Sequence, residues 1–292
     1  MGKTMKVGAV EIMDRACEAG GLRWAYREAV PMNKTDRPPV VLLHGLVSQS
    51  YSWRGVMAQL AAAGMRSVAP DWIGHGASAK PEKSEFAYTP AAFVSALESW
   101  LQALEIEHFY LVVQGFLGSA GLLYAAQHPE QIERLVILNT PLTAAAKLPF
   151  KLAQMGIPLV GDMLTQDPLL VDRTLEGAGP YEIADLDLDI YRRPFLKSSE
   201  AGRSLLAIIK QLQLKQTLAD IDQGFENWPV PTLIAWGMAD KWLPVTLAET
   251  FAQNSGSNVE IARLEETGHY AQEDWAEKVS ETMVPFLRRI QL

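Results

Sequence analysis

The stretch LVVQGFLGSAGLL, residues 111–123, decides how the chain is read. It is an apolar run, then a glycine, then a helix-forming segment. FYLVVQ (109–114) reads as a buried strand and 117–128 as a helix that stops before Pro129. A strand that turns sharply into a helix is how one large group of enzymes presents a nucleophile. The residue at the tip is Gly115, which has no side chain.

The same alternation extends outward. PPVVLLHG (38–45) is a nearly continuous apolar run, as expected of a strand covered on both faces. WRGVMAQLAAAG (53–64) reads as a helix closed by Gly64, RSVAPDW (66–72) as a strand, 90–104 as a helix and RLVILNT (134–140) as a strand. Residues 5–30 read as two strands around a turn at Gly20-Gly21. Alternation stops over 141–228, where helical stretches such as AGRSLLAIIKQLQLKQTL replace strands. It resumes with PTLIAWG (231–237), a helix near 246–253, VEIARLE (259–265) and a long last helix from about 272. The pattern predicts an α/β fold: an eight-stranded, mostly parallel sheet with helices on both faces and a helical cap inserted between strands. Residues 1–140 and 229–292 form the core, and 141–228 the cap, at the sheet edge where open α/β sheets bind ligands.

Composition narrows the function. Of 292 residues, 48% are hydrophobic and 21% charged, enough for a large core. The net charge of −8 argues against nucleic acid or an anionic membrane as partner but identifies none, since a solvated acidic surface accounts for it; a small-molecule substrate or ligand is expected from a pocket under the cap. The single cysteine, Cys17, excludes an intrachain disulfide framework. No run of about 18 apolar residues is present and the first 20 residues lack an apolar signal core, so no membrane span and a cytoplasmic protein are expected. The glycines of GHGAS lack dinucleotide or phosphate-loop spacing, and no metal-ligand cluster is visible; no cofactor is expected.

Four stretches carry chemistry, each after a strand: HGLVSQSYSW from His44, DWIGHGASAKP from Asp71, the 111–123 turn, and the late pair WGMADKWLP and ETGHYAQED. Together, from about residue 36 to the C-terminus, they resemble the α/β-hydrolase fold, and within it the haloalkane dehalogenase branch. That branch has similar HG…SYxWR, APDxxGxGxSxKP and LVVxDWGxxxG stretches. The resemblance implies a triad in the order nucleophile, acid, histidine. Asp240 then stands at the acid position and His269 at the base. Asn139 stands at the alternative acid position, where it can hydrogen-bond but cannot balance an imidazolium.

The resemblance also shows what is replaced. The nucleophilic carboxylate falls on Gly115, the halide-holding tryptophan on Phe116 and the halide-holding asparagine on Leu46. Covalent dehalogenation is therefore not expected. Ser119, in LGSAG, offers a second nucleophile only if the strand runs on through Leu117. The N–H groups of Leu46 and Phe116 fall at the oxyanion-hole positions. Leu46, Val47, Phe116, Asn139, Phe150 and Phe195, with Leu206, are the expected pocket lining. His44 and His75 are expected to shape their loops, and Glu273 and Asp274 to favour the first turn of the last helix. Three readings follow: non-covalent general-base chemistry by His269 and Asp240, a non-catalytic binding or receptor-like protein, and a serine hydrolase through Ser119.

Overall fold

A computed structural model describes residues 4–7, 10–33 and 36–289. The strands are β1 (Thr4–Val7), β2 (Val10–Ala19), β3 (Leu22–Ala29), β4 (Val40–Leu43), β5 (Ser67–Pro70), β6 (Phe109–Gln114), β7 (Ile132–Leu138), β8 (Thr232–Gly237) and β9 (Val259–Leu264). The helices are α1 (Arg54–Ala62), α2 (Pro90–Ala103), α3 (Gly115–Gln127), α4 (Phe150–Gln154), α5 (Val160–Leu164), α6 (Leu170–Leu175), α7 (Asp185–Lys197), α8 (Glu200–Gln211), α9 (Leu214–Gly224), α10 (Thr246–Ser255), α11 (Ala271–Asp274) and α12 (Ala276–Arg288).

The sheet order is β1-β2-β3-β5-β4-β6-β7-β8-β9. The eight strands read from the sequence are all present, and β1 adds an antiparallel edge strand on β2. From β5 across to β9 neighbours run parallel. Gly20 and Gly21, with φ of +59° and +74°, make the two-residue turn between β2 and β3. Strands β4, β5, β6 and β8 are buried along their whole length, which explains their unbroken apolar character. One core layer packs Leu43, Leu111, Val113 and Ile137 under α2 and α3. The other packs Leu42, Val112, Val136 and Ala235 under α1 and α12.

Topology locates the site. From β4 the chain crosses by α1 to β5 on one side; from the adjacent β6 it crosses by α3 to β7 on the other. The loops after β4 and β6 therefore diverge, and the crevice between them is where such sheets bind ligands. Helices α4 to α9 all fall between β7 and β8, which are neighbours in the sheet.

Three boundaries differ from the reading above. Helix α3 begins at Gly115, two residues early, with no loop after β6. The long cap helix is two helices: Gln213, in the left-handed region at φ +45°, breaks it between α8 and α9. The last helix is also two, because Trp275 is extended, at φ −156° and ψ 78°.

Candidate active site

At the end of β6 the chain reverses with Gly115 at φ +72°, a conformation that L side chains rarely adopt. A Cβ built there would lie 2.9 Å from Gly45 Cα and 3.4 Å from His269 Nε2. The turn is tight because α3 lies close on the sheet: a Cβ on Gly121 would meet Val113 Cγ1 at 2.7 Å. Ser119 is the fifth residue of α3, and its hydroxyl donates to the Phe116 carbonyl at 2.6 Å. It stands inside the helix, not at the turn, because the strand ends at Gln114 and does not run on through Leu117.

His269 Nδ1 and Asp240 Oδ2 are 2.9 Å apart, with both side chains 1% exposed. A carboxylate only accepts, so Nδ1 donates to it, and Nε2 lies on the side of the ring that faces Gly115. Asp240 is held by three further donors. Its Oδ1 accepts the Trp242 N–H at 2.7 Å and the Leu243 N–H at 3.1 Å, and its Oδ2 accepts Asn139 Nδ2 at 2.8 Å. Asn139 is fully buried and also accepts the Gly237 N–H at 2.8 Å. The side chain expected in the pocket lining instead ties Asp240 to the end of β8.

Aromatic rings enclose His269. The Trp242 ring lies 4.6 Å from that of His269, Tyr270 meets it edge-on at 5.0 Å, and Phe116 lies at 5.9 Å. The Tyr270 hydroxyl donates to the Leu46 carbonyl at 2.9 Å, fixing the loop after β4. Phe116 is the second residue of α3, so its N–H has no intrahelical acceptor. Val47, buried next to Leu46, takes φ +59°, unusual for a β-branched residue. The backbone there is strained beside the predicted oxyanion position.

Buried amides hold these loops in register. Gln114 Oε1 accepts the Gly45 N–H at 3.1 Å, and its Nε2 donates to the His269 carbonyl at 2.8 Å. The His269 N–H donates to the Ala178 carbonyl at 3.3 Å, so the chain between α6 and α7 touches His269. Burial pushes the Asp274 carboxyl up to about 6, while it accepts the Gly268 N–H at 2.6 Å. Glu273 is no simple helix-start acid. It grips Arg54 with both oxygens at 2.7 Å and accepts the Tyr191 hydroxyl of α7. His44 is a structural residue: Nδ1 donates to the Gly45 carbonyl at 2.8 Å, Nε2 accepts the Trp72 N–H at 3.1 Å, and burial lowers it to about 4.

Two cap residues lie elsewhere. Phe150 opens the short helix α4 with its side chain in solvent, 77% exposed. Phe195 and Leu206 line a cavity of about 410 Å³ walled by the cap alone, with no residue of the His269 or Gly115 loops. Helical apolar spacing marks a packed face without saying which face it meets. The reading of the sequence missed Gln114, Trp242 and Tyr270. Only Gln114 left a signal: it is the one polar residue closing an apolar strand. Among the described residues no group of three or more acids, histidines or cysteines is arranged to hold a metal, and no helix is long and apolar enough to cross a membrane.

The chain belongs to the α/β hydrolase fold family, whose model matches residues 38–275. Within that family it stands close to the dehalogenase branch. It is 30% identical over 262 residues to a cis-3-alkyl-4-alkyloxetan-2-one decarboxylase of Shewanella oneidensis, covering 85% of this chain and 81% of that one. A haloalkane dehalogenase of Mycobacterium tuberculosis is 43% identical over 116 residues, 39% of this chain and 38% of the relative. The crystal structure of a haloalkane dehalogenase from Bradyrhizobium elkani superposes with a TM-score of 0.83 at 24% identity, covering 94% of this chain and 97% of that one, a likeness of fold.

Proposed function

We propose that this protein is an enzyme in which His269, oriented by Asp240, acts as a general base on a small, largely apolar acyl compound, without a covalent bond to the elbow residue. The observation that carries the reading is the pairing of a buried His269–Asp240 dyad with a glycine beneath its Nε2. A water or substrate atom standing above Gly115, where a family nucleophile projects, is within hydrogen-bond reach of that nitrogen.

The step balances with water as nucleophile. Nε2 takes a proton from water, and the water oxygen adds to the acyl carbon. The carbonyl electron pair moves to oxygen, facing the N–H groups of Leu46 and Phe116. Collapse breaks the acyl C–O bond, and the imidazolium returns its proton to the leaving alkoxide. The relative named as an oxetanone decarboxylase suggests a strained four-membered lactone as one such substrate. Halide displacement is disfavoured, since Gly115 supplies no carboxylate and neither Leu46 nor Phe116 a side-chain N–H. Residues 141–228 would serve as the lid, with the Ala178 carbonyl on the base supporting that role.

A screen of p-nitrophenyl esters and cis-3,4-dialkyl-oxetan-2-ones tests the reading on wild type, His269→Ala and Ser119→Ala. Turnover should fall about 10²–10⁴-fold in His269→Ala and persist in Ser119→Ala. Loss in Ser119→Ala with the fold intact would favour a serine hydrolase. Ligands held equally by wild type and His269→Ala, with no turnover, would favour a binding protein.

A further inference from the structure

We propose that the groove between the β2–β3 hairpin and cap helix α7 binds a small organic diphosphate, a site independent of the chemistry proposed at His269. The groove encloses about 710 Å³ and is lined by Arg15, Arg23, Arg27, Lys80, Arg193 and Lys197. That volume suits a small organic ligand. A chain with net charge −8 here gathers six cations against three carboxylates, Asp14, Asp71 and Glu200.

Arg15 pairs with Glu28 and Arg27 with Asp14, each at 3.3 Å, while Arg23, Lys80, Arg193 and Lys197 make no ion pair among the described residues. Arg23 donates to the Ala77 carbonyl at 2.7 Å, and Lys80 to the carbonyls of Gly76 at 2.7 Å and Ser78 at 3.0 Å. These partners fix the two side chains but carry no charge. Burial lowers the Lys80 ammonium below its usual range, and the Asp71 and Glu200 carboxylates offset only part of that. Asp71 is turned into its own loop, accepting the Ser50 N–H at 2.8 Å and the Ala77 N–H at 2.7 Å. Arg27 is steadied over the Tyr51 ring, 4.9 Å from its centroid, with Asp14 at 3.3 Å.

On the opposite wall, Arg193 and Lys197 are four residues apart on α7, and neither has a hydrogen-bond or ion-pair partner among the described residues. Like charges at that spacing oppose the helix. An anion between the walls offsets this. A single-charge anion can answer only one wall. A diphosphate presents oxygens to both, and guanidinium forks match phosphate geometry. Tyr26, Ile190 and Pro194 add apolar surface for an organic moiety.

Isothermal titration of the full chain with ADP, pyrophosphate and adenosine tests this. ADP should bind and adenosine should not. Arg193→Glu/Lys197→Glu, changed at exposed positions, should weaken ADP about tenfold or more. The same reversal outside the groove, Lys147→Glu/Lys151→Glu, should bind as wild type does. Pyrophosphate binding as tightly as ADP would support the site and assign its affinity to the phosphates. If the double reversal misfolds by circular dichroism, Arg193→Gln/Lys197→Gln replaces it with the same expected direction. No binding of ADP, equal binding of adenosine, or wild-type affinity in the folded groove variants would overturn the proposal. His269→Ala should bind ADP unchanged, which separates this claim from the catalytic one.

Discussion

At position 115 backbone and chemistry pull in different directions. The left-handed turn suits glycine and penalises every L side chain, yet catalysis by a covalent route needs a side chain there. Gly115→Ala should lower the unfolding free energy by about 1–3 kcal/mol, measured in urea, because its Cβ meets Gly45 Cα and its φ is strained. An unchanged midpoint would mean the turn lacks this geometry. The identity of residue 115 and the glycine turn were legible in the sequence, since both rest on local pattern. The role of Asn139 was not. Its partners Gly237 and Asp240 lie about a hundred positions away, 98 and 101, and only the pairing of β7 with β8 brings them together.

Among the elements, α11 links the His269 loop to the cap. Four residues long, it carries Glu273, which binds Arg54 at the start of α1 and Tyr191 of α7, while Arg54 also reaches Asp187 of α7 at 3.0 Å. The Glu273 side chain is 4% exposed and that of Asp187 is 29% exposed. Removing Glu273 takes away both 2.7 Å bonds of the buried partner and leaves only the more exposed Asp187 on the guanidinium, so Glu273→Ala should cost roughly 3 kcal/mol and Asp187→Ala clearly less, both read by urea denaturation. Equal losses would place the anchor on the cap helix instead. Sequence reading saw Glu273 as a helix-start acid because its partner is 219 residues distant. It likewise drew one last helix where Trp275 makes two, since apolar period is blind to a single extended residue.

Across the whole molecule, the order of strands and motifs was enough to place the sheet, because each buried strand announces itself by an apolar run and each crossover by a helix. Contacts between loops were not legible: Gln114 joins β6 to a carbonyl 155 residues on, and no local pattern encodes that bond. Such long-range amides hold the ends of β4, β6, β8 and β9 at one edge, where the His269–Asp240 pair faces a glycine. The central claim is that this edge works without a covalent intermediate. Its most direct test is intact-protein mass spectrometry of the protein acid-quenched during turnover of whichever ester or oxetanone proves its fastest substrate. The account predicts an unmodified chain at every quench time, with product formed. An acyl adduct that rises and decays during turnover, on Ser119 or any other residue, would contradict it.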